Sequence, residues 1–237
     1  QMKPADVDSP IFGPCKQLDF ELEIAFIVNK NTEMGDSIST KEAEDAIFGL
    51  VLFNDWSARD IQSWEYVPLG PFLGKNFGSS VSPWVVTLEA LDPFRIESPK
   101  QEPEVLDYLK FEGKQNFDIN LQVYLQPENG TKNLISESNY KYMYWNMTQQ
   151  LAHHTVNGCN VEVGDLYASG TISGETPDSY GSMLELTWRG TNPLKLKDGQ
   201  ERKFIDDNDT VIMRGYAEKE GMRVGFGEVS GKILPSN

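Results

Sequence analysis

Short apolar runs rich in β-branched and aromatic residues recur along the chain, separated by turns of Gly, Pro, Asn and Asp. This pattern is typical of strands joined by tight turns. Strands are predicted at residues 18–28, 49–54, 83–88, 117–125, 165–168, 182–188, 210–216 and 223–229. The run 117–125 alternates, with Asp118, Asn120 and Gln122 facing out, and Asn129-Gly130 follows it as a hairpin signal.

Helical signals are few, and residues 56–66 are expected to be irregular or to form one or two helical turns. Residues 138–156 carry apolar side chains at i, i+3, i+4, i+7 and i+11 and end before Asn157-Gly158, which predicts one long helix. Ser39 or Thr40 can cap a short helix over 41–48. The pattern therefore predicts a β-dominated α+β domain over 18–237. Residues 1–17, which lack periodicity, are expected to be a linker or a truncated edge.

Composition narrows the possible partners. The 237 residues are 39% hydrophobic, enough for a folded core, and the formal net charge is −15. Such an acidic surface repels phosphate backbones, so we expect no nucleic-acid partner. No apolar run reaches the roughly 18–20 residues of a membrane span, so no membrane partner is expected. Cys15 and Cys159 form no disulfide framework, which favours a reducing, cytoplasmic setting.

Three acids are candidates for a metal site. Glu21 and Glu23 stand at i and i+2 of a predicted strand, so their carboxylates share one face. Asp55 follows the apolar run 49–54, where a strand end can open on a cleft. An exposed strand edge for the two glutamates and a helix cap for Asp55 are the alternatives. Together the three acids would form an all-oxygen site, which favours Mg²⁺, Ca²⁺ or Mn²⁺ over zinc.

Several other polar residues could act on a substrate. Cations and amides in the stretch that follows Asp55 could hold a carboxylate or an oxyanion, namely Arg59, Gln62, Tyr66 and Lys75. Salt bridges to surface acids are the alternative. Glu185 is an acid in the apolar run 182–188, and burial would raise its pKa toward that of a general base. It could equally face outward. His153 and His154, as neighbours in a helix, cannot both line one site.

The longer motifs resemble those of the fumarylacetoacetase family. The resemblance rests first on residues 53–78, FNDWSARDIQSWEYVPLGPFLGKNFG, and on E-L-E at 21–23. It continues through HHTVNGCN, GDLYASGTISG, GSMLELTW and RVGFGEVSGKILP, which begin at 153, 164, 181 and 223. These segments cover essentially the whole chain and keep the family order.

The resemblance implies a mixed β-sandwich roll and a cytosolic homodimer whose substrate is a β-diketo acid. The implied reaction is hydrolysis of the carbon–carbon bond of fumarylacetoacetate to fumarate and acetoacetate, the last step of tyrosine catabolism. It further implies that Glu21, Glu23 and Asp55 are ligands of a catalytic Ca²⁺ or Mg²⁺. Lys75 and Ser79, with Asp55, would form a second cation site.

The same resemblance assigns roles toward the substrate. Gln62, Tyr66 and Thr171 are implied substrate contacts. The catalytic residues it implies are Arg59, Gln62 and Lys75, which would stabilise the departing acetoacetate, and Glu185, which would orient the attacking water.

One departure leaves alternatives open. The family enzyme carries its catalytic histidine upstream of the first metal glutamates, whereas no histidine precedes Glu21 here. The chain is therefore expected to be the C-terminal part of such an enzyme. Two readings compete with fumarylacetoacetate hydrolysis. One is a related acylpyruvate hydrolase or oxaloacetate decarboxylase, and the other is a metal- and diacid-binding fragment without turnover.

Overall fold

Short strands make up most of the regular structure of this protein. The computed structural model describes residues 1–4 and 6–236. The strands in this part of the chain are β1 (Leu18–Asp19), β2 (Leu22–Val28), β3 (Ile47–Asp55), β4 (Ser57–Ala58), β5 (Ser79–Val81), β6 (Val86–Thr87), β7 (Arg95–Ile96), β8 (Asn116–Phe117), β9 (Asn120–Gln126), β10 (Asn133–Asn139), β11 (Leu166–Ala168), β12 (Leu194–Lys195), β13 (Glu201–Arg202), β14 (Thr210–Lys219) and β15 (Met222–Lys232).

The helices are few and short. They are α1 (Thr40–Ala43), α2 (Arg59–Leu69), α3 (Leu88–Leu91), α4 (Met147–Thr155) and α5 (Met183–Leu186). Short 3-10 turns occur between them, for example at Glu44–Ala46 and Tyr140–Tyr142. Among the described residues, none of these helices has the length and apolar character needed to cross a bilayer.

Two antiparallel sheets form the frame. One has the order β11-β2-β3-β5, with β6 also paired to β3, and the other has the order β10-β9-β14-β15. The central strands β2 and β3 are buried along nearly their whole length, as their apolar sequences LEIAFIV and IFGLVLFND predict. Their antiparallel register sets Leu22 opposite Asn54, so the start of β2 lies beside the end of β3.

The second sheet shows the alternation expected of a half-buried strand. In β9 the apolar residues Leu121, Val123 and Leu125 are fully buried, while the polar residues between them are partly exposed. The β9–β10 turn contains Asn129 with a φ of 57°, a left-handed conformation that asparagine adopts more readily than most residues.

The two sheets pack on each other around a glycine. A Cβ atom on Gly215 of β14 would lie 2.8 Å from Leu52 Cδ2 of β3 and 3.2 Å from Leu121 Cδ2 of β9. Leu52, Leu121 and Phe226 belong to one buried apolar cluster that joins both sheets. The missing side chain at position 215 therefore lets residues of three strands meet closely in the core.

Several predicted elements differ from the observed ones. Residues 182–188 are wrong as a strand, because Ser182 accepts a hydrogen bond from the Glu185 N–H and starts α5. The helix predicted over 138–156 begins only at Met147, because β10 continues to Asn139 and Asn146 caps α4 in a capping box with Gln149. Of residues 83–88, only Val86–Thr87 forms a strand.

Other predictions are confirmed. Ser39 caps α1 in a capping box with Glu42, and the run 49–54 lies inside β3. The end predicted for that helix, residue 48, is wrong, because β3 already begins at Ile47. The β-dominated α+β class is confirmed, whereas the mixed β-sandwich roll and the domain division at residue 18 stay predictions.

A glycine pair tests the packing between β3 and β6. In Gly49→Ala the added Cβ would lie 2.5 Å from the Val86 carbonyl oxygen, so the two strands must separate. We expect the free energy of unfolding to fall by about 1–3 kcal/mol in urea denaturation. The matched control is Gly225→Ala in β15, where a Cβ would meet nothing within 4 Å. Equal midpoints for both variants would show that close packing at Gly49 does not contribute to stability.

Candidate active site and metal centre

Three carboxylates meet where β2 begins and β3 ends. Glu21, Glu23 and Asp55 each offer an oxygen, and these atoms all lie within 4.8 Å of one another. The antiparallel pairing of β2 with β3 causes this, since the Asp55 N–H donates to the Glu21 carbonyl at 3.3 Å. The structure thus brings together the three residues that the sequence proposed as one site.

The cluster is not a solvated strand edge. Glu23 is only 2% exposed, and the side chains of Glu21 and Asp55 are 13% and 26% exposed. The Gly170 N–H donates to Glu23 Oε2 at 3.1 Å. A buried carboxylate is costly unless hydrogen bonds or a cation compensate it. The exposed-edge alternative for the two glutamates is therefore wrong.

Two cations compensate part of this charge. Lys75 Nζ lies 2.6 Å from Glu21 Oε2 and 2.7 Å from Asp55 Oδ2, and it also donates to Ser57 Oγ. Arg59 Nη1 lies 2.8 Å from the other oxygen of Glu21, Oε1. Lys75 and Arg59 therefore do form salt bridges, but with acids of the site rather than with distant surface acids.

The pKa values show which carboxylate is left uncompensated. Burial opposes ionisation of Glu21, yet Lys75 and Arg59 outweigh it and hold the pKa of Glu21 below its ordinary value. Burial also raises the pKa of Asp55, against the contact with Lys75. For Glu23, burial together with the charges of Glu21 and Asp55 raises the pKa to about 8. Glu23 therefore binds a proton at neutral pH unless a further positive charge is present.

The donor set fits a divalent hard cation. With Asp19, which also pairs with Arg59, the site holds four carboxylates against two cations, which leaves two negative charges uncompensated. The ligand atoms offered by the cluster are all carboxylate oxygens. Oxygen ligands suit Mg²⁺ and Ca²⁺ better than softer metals. A dication would neutralise the excess charge and replace the proton on Glu23.

The second predicted cation site, formed by Lys75 and Ser79 with Asp55, has fewer carboxylate oxygens than the first. Ser79 of β5 pairs with Asp55 of β3, so its hydroxyl belongs to the same sheet end. The Lys75 ammonium has donors but no lone pair, so only the backbone carbonyl of this residue can be a metal ligand. Metal binding by Lys75 and Ser79 stays a prediction.

Helix α2 carries three of the predicted substrate-facing residues. Arg59, Gln62 and Tyr66 stand at i, i+3 and i+7, which places them on one face. Gln62 Oε1 accepts a hydrogen bond from Arg59 Nη1 at 3.2 Å. Arg59 is buried at the cluster, whereas Tyr66 is 55% exposed. This face therefore leads from the acidic cluster to solvent.

The glycine-rich loop after α2 is fixed by a single carboxylate. Glu65 accepts hydrogen bonds from the backbone N–H groups of Phe72, Leu73 and Gly74 at 2.7, 2.9 and 2.7 Å. At Gly74 a Cβ atom would lie 2.9 Å from the backbone nitrogen of Gln62, so only glycine allows this close approach. The loop is thereby held against α2 and delivers Lys75 to the cluster.

Glu185 lies on α5, next to the start of β2. Its Oε2 atom accepts hydrogen bonds from Ser173 Oγ at 2.9 Å and Ser182 Oγ at 2.8 Å. The backbones of Ser182 and Glu21 form an isolated antiparallel β-bridge. Glu185 is half-buried, so the fully outward-facing alternative is wrong. Thr171 lies between Gly170, whose N–H binds Glu23, and Ile172, whose N–H donates to the Leu22 carbonyl. It therefore also borders the cluster.

Three polar residues of the site were not identified from the sequence: Asp19, Ser57 and Ser182. Asp19 precedes Glu21 and Glu23 by the same two-residue step, so strand alternation could have found it. Ser57 reaches Lys75 only through the fold, whereas Ser182 stands three residues before Glu185, so the Ser-x-x-Glu spacing could have marked it as a helix cap.

The two histidines belong to a different region. His153 Nδ1 and the Tyr108 hydroxyl oxygen lie 2.9 Å apart, and the His154 ring packs edge-on against Tyr167. His153 borders a cavity of about 450 Å³ whose lining residues are Tyr108, Leu109, Met143, Trp145, Gln149, Gln150, His153, Tyr167, Ala168 and Ser169. None of the acids of the cluster lines this cavity.

Comparisons with solved structures agree on the fold. A fumarylacetoacetate hydrolase from psychrophilic Exiguobacterium antarcticum superposes with a TM-score of 0.56 at 20% identity, covering 93% of this chain and 58% of that one. A fumarylacetoacetate hydrolase family protein from yeast gives 0.56 at 16% identity, covering 92% and 67%. At such identities the likeness concerns the fold alone.

The relatives found by sequence are more similar to this chain. Curated fumarylacetoacetases from Homo sapiens and Arabidopsis thaliana are 56% and 54% identical to this chain over 237 residues, all of its length. The chain spans 57% of the human relative and 56% of the plant relative. The family model for the C-terminal part of fumarylacetoacetate (FAA) hydrolase matches residues 3–233. The chain therefore belongs to the fumarylacetoacetate hydrolase C-terminal family.

Proposed function

We propose that this chain forms the metal-binding part of an enzyme that hydrolyses fumarylacetoacetate to fumarate and acetoacetate, as the last step of tyrosine catabolism. The observation that carries the proposal is the cluster of Glu21, Glu23 and Asp55, with Arg59 and Lys75 bonded to it. The identity to curated fumarylacetoacetases supports the choice of substrate. Because the chain spans little more than half of those relatives, the complete activity belongs to the proposal.

The proposed cofactor is Mg²⁺ or Ca²⁺, held by Glu21, Glu23 and Asp55. When bound, the cation supplies a positive charge that polarises a ketone oxygen and orients a β-diketo acid. Ser79 and the Lys75 carbonyl are proposed to serve a second cation. The all-oxygen donor set and the raised pKa of Glu23, about 8, support this assignment.

In the proposed reaction, water adds to the ketone carbon beside the fumaryl group. The bond from that carbon to the acetoacetate portion then breaks. Its electron pair leaves on acetoacetate as an enolate. Of the two protons that water brings, one is balanced by protonation of the enolate carbon, and the other is released as the new carboxylate of fumarate forms. Negative charge therefore develops on the leaving group, and prearranged donors lower the barrier most where charge develops.

The donors for that charge are proposed to be Arg59, Gln62 and Lys75. Arg59 and Lys75 are held at the cluster by bonds to Glu21, and the Gln62 amide is bonded to Arg59. Such fixed donors need little rearrangement when the leaving group forms. Because the cations are already shared with carboxylates, the charge they offer is distributed over the whole cluster.

Glu185 is proposed to orient the attacking water. Its Oε2 atom is bonded to Ser173 and Ser182, which fixes the carboxylate and leaves Oε1 available as an acceptor. Tyr66 and Thr171 are proposed substrate contacts, one on α2 and one next to Gly170, whose N–H donates to Glu23.

The proposal extends to the oligomeric state of the chain and to its cellular compartment. A homodimer in the cytoplasm is proposed, and the free thiols of Cys15 and Cys159 are consistent with a reducing compartment. Light scattering of the chain in solution tests the dimer. A related acylpyruvate hydrolase or oxaloacetate decarboxylase is the second candidate, because those enzymes share the paired glutamates and the aspartate.

Activity of the chain with Mg²⁺ or Ca²⁺ tests the proposal directly. We expect absorbance loss of fumarylacetoacetate to require the cation, to stop with EDTA, and to fall at least about 100-fold in Glu23→Gln, which removes a ligand charge without changing size. Acylpyruvate and oxaloacetate, run in parallel, separate the second candidate. The control is Glu137→Gln on the exposed face of β10, which should keep wild-type activity.

Three outcomes are informative. Turnover that is unaffected by EDTA or by Glu23→Gln would contradict the metal-centre assignment. Cation binding without turnover would favour the reading of a metal- and diacid-binding fragment. Faster turnover of acylpyruvate or oxaloacetate would replace the proposed substrate.

Cation affinity should depend on pH through Glu23. In the metal-free protein its pKa is raised to about 8, so below that pH the cation must displace a proton. We expect the affinity to rise about tenfold per pH unit up to pH 8 and then to level off. Calorimetry in two buffers of different ionisation enthalpy should show proton release at pH 7. A flat affinity between pH 6 and 8.5 would contradict the raised pKa, and Glu23→Gln should abolish proton release.

A further inference from the structure

A fully buried carboxylate lies behind the acidic cluster. Asp19 of β1 is 0% exposed and makes three hydrogen bonds. Arg59 Nε donates to Oδ2 at 2.9 Å, the Met183 N–H donates to Oδ1 at 2.7 Å, and the Leu184 N–H donates to Oδ2 at 3.0 Å. The carboxylate of Asp19 thus accepts all three hydrogen bonds.

Those three donors belong to two separate parts of the site. Arg59 is the first residue of α2, and Met183 and Leu184 are the first two residues of α5, which carries Glu185. The segments are more than one hundred residues apart in sequence but meet on Asp19. The carboxylate therefore sets the position of the Arg59 guanidinium relative to the segment that bears Glu185.

The contact also decides how Arg59 presents its remaining donors. With Nε committed to Asp19, the guanidinium plane is fixed, and Nη1 points to Glu21 Oε1 at 2.8 Å and Gln62 Oε1 at 3.2 Å. A single Arg–carboxylate contact allows rotation, whereas a guanidinium held from two sides does not rotate. Asp19 thus acts on the same guanidinium that the metal-binding Glu21 contacts.

Asp19 is also tied to the metal ligands through the backbone. Asp19, Glu21 and Glu23 follow one another by two-residue steps along one extended segment, so their side chains share a face. A displacement of this segment would move two metal ligands and the Arg59 anchor together. This arrangement couples the geometry of the proposed cation ligands to that of the proposed leaving-group donors.

We propose that Asp19 is a positioning residue of the reaction, which aligns Arg59 and the Glu185 segment with the metal-binding carboxylates without touching substrate. The inference rests on the proposed function, because the roles of Arg59 and Glu185 belong to it. Asparagine keeps the shape of the aspartate side chain, but its NH₂ group, itself a donor, then faces one of the N–H donors that Asp19 binds. At least one of the three hydrogen bonds is then lost in Asp19→Asn.

The chain offers a matched control in Asp209. It is 1% exposed and accepts hydrogen bonds from Arg202 Nε at 2.7 Å, Arg202 Nη2 at 3.0 Å and the Asp206 N–H at 3.1 Å. Asp209→Asn therefore breaks a buried aspartate–arginine pair of the same kind. None of these partners belongs to the candidate site.

The kinetic test compares the two variants in the cation-loaded chain. For Asp19→Asn we expect kcat to fall about 100-fold, as for a small misplacement of catalytic groups, with KM changed less than about threefold. Asp209→Asn should lower thermal stability but keep kcat. In an Arg59→Ala background, Asp19→Asn should cost clearly less than in the wild-type background, since the part of its effect that acts through Arg59 is already lost. Full additivity, or equal losses in both aspartate variants, would overturn the proposal.

A spectroscopic test does not depend on turnover. In ¹⁵N-labelled chain, the Arg59 Nε–Hε signal and the Leu184 amide signal should both shift in Asp19→Asn and stay in place in Asp209→Asn. If both signals stay in place in Asp19→Asn, the positioning role is wrong, whatever the activity. If wild-type chain lacks turnover but the signals shift as expected, the reaction assignment fails while the positioning role stands. Should Asp19→Asn not fold, Asp19→Glu, which moves the carboxylate by one methylene, carries the same expectations.

Discussion

Crowding of negative charge in a poorly solvated place is the constraint on which the rest of the site depends. Asp19, Glu21 and Glu23 project from one face of a strand segment, and Asp55 joins them from the neighbouring strand. Carboxylates this close repel one another, and burial deprives them of water. Arg59 and Lys75 neutralise part of this negative charge, and a proton or a bound cation must neutralise the rest.

The surrounding elements are arranged to keep those cations in place. Glu65 holds the loop that delivers Lys75, and Asp19 holds the first residue of α2, which is Arg59. The close approach at Gly74 serves the same end, because it lets the loop that carries Lys75 reach α2. Backbone packing next to Lys75 thus contributes to the geometry of the cluster.

The acidic cluster could be proposed from the sequence because strand alternation is local. Glu21 and Glu23 share a face through a two-residue step, and Asp55 ends a short apolar run that predicted a buried strand. Asp19 obeys the same step and was accessible to the same argument. Of the two partners of Glu185, Ser182 was accessible through the Ser-x-x-Glu spacing, whereas Ser173 lies twelve residues away and meets Glu185 only through the fold.

The wrong elements have physical reasons as well. The segment 182–188 is apolar enough for a strand, yet its Ser-x-x-Glu sequence caps a helix, and this cap prevails. In residues 138–146 the apolar spacing fits a helix, but pairing of β10 with β9 uses those backbone groups up to Asn139. Tertiary pairing therefore overrides local periodicity where a strand partner is available.

The proposed role of the acidic cluster is to bind a cation, and crystals of the chain grown with Mn²⁺ test this most directly. Anomalous scattering locates the ion without reference to activity. We expect one strong peak within about 2.0–2.6 Å of oxygens from Glu21, Glu23 and Asp55, the range of hard-cation ligands. A peak elsewhere, or an empty cluster at millimolar Mn²⁺ with Lys75 still bonded to Glu21 and Asp55, would contradict the account.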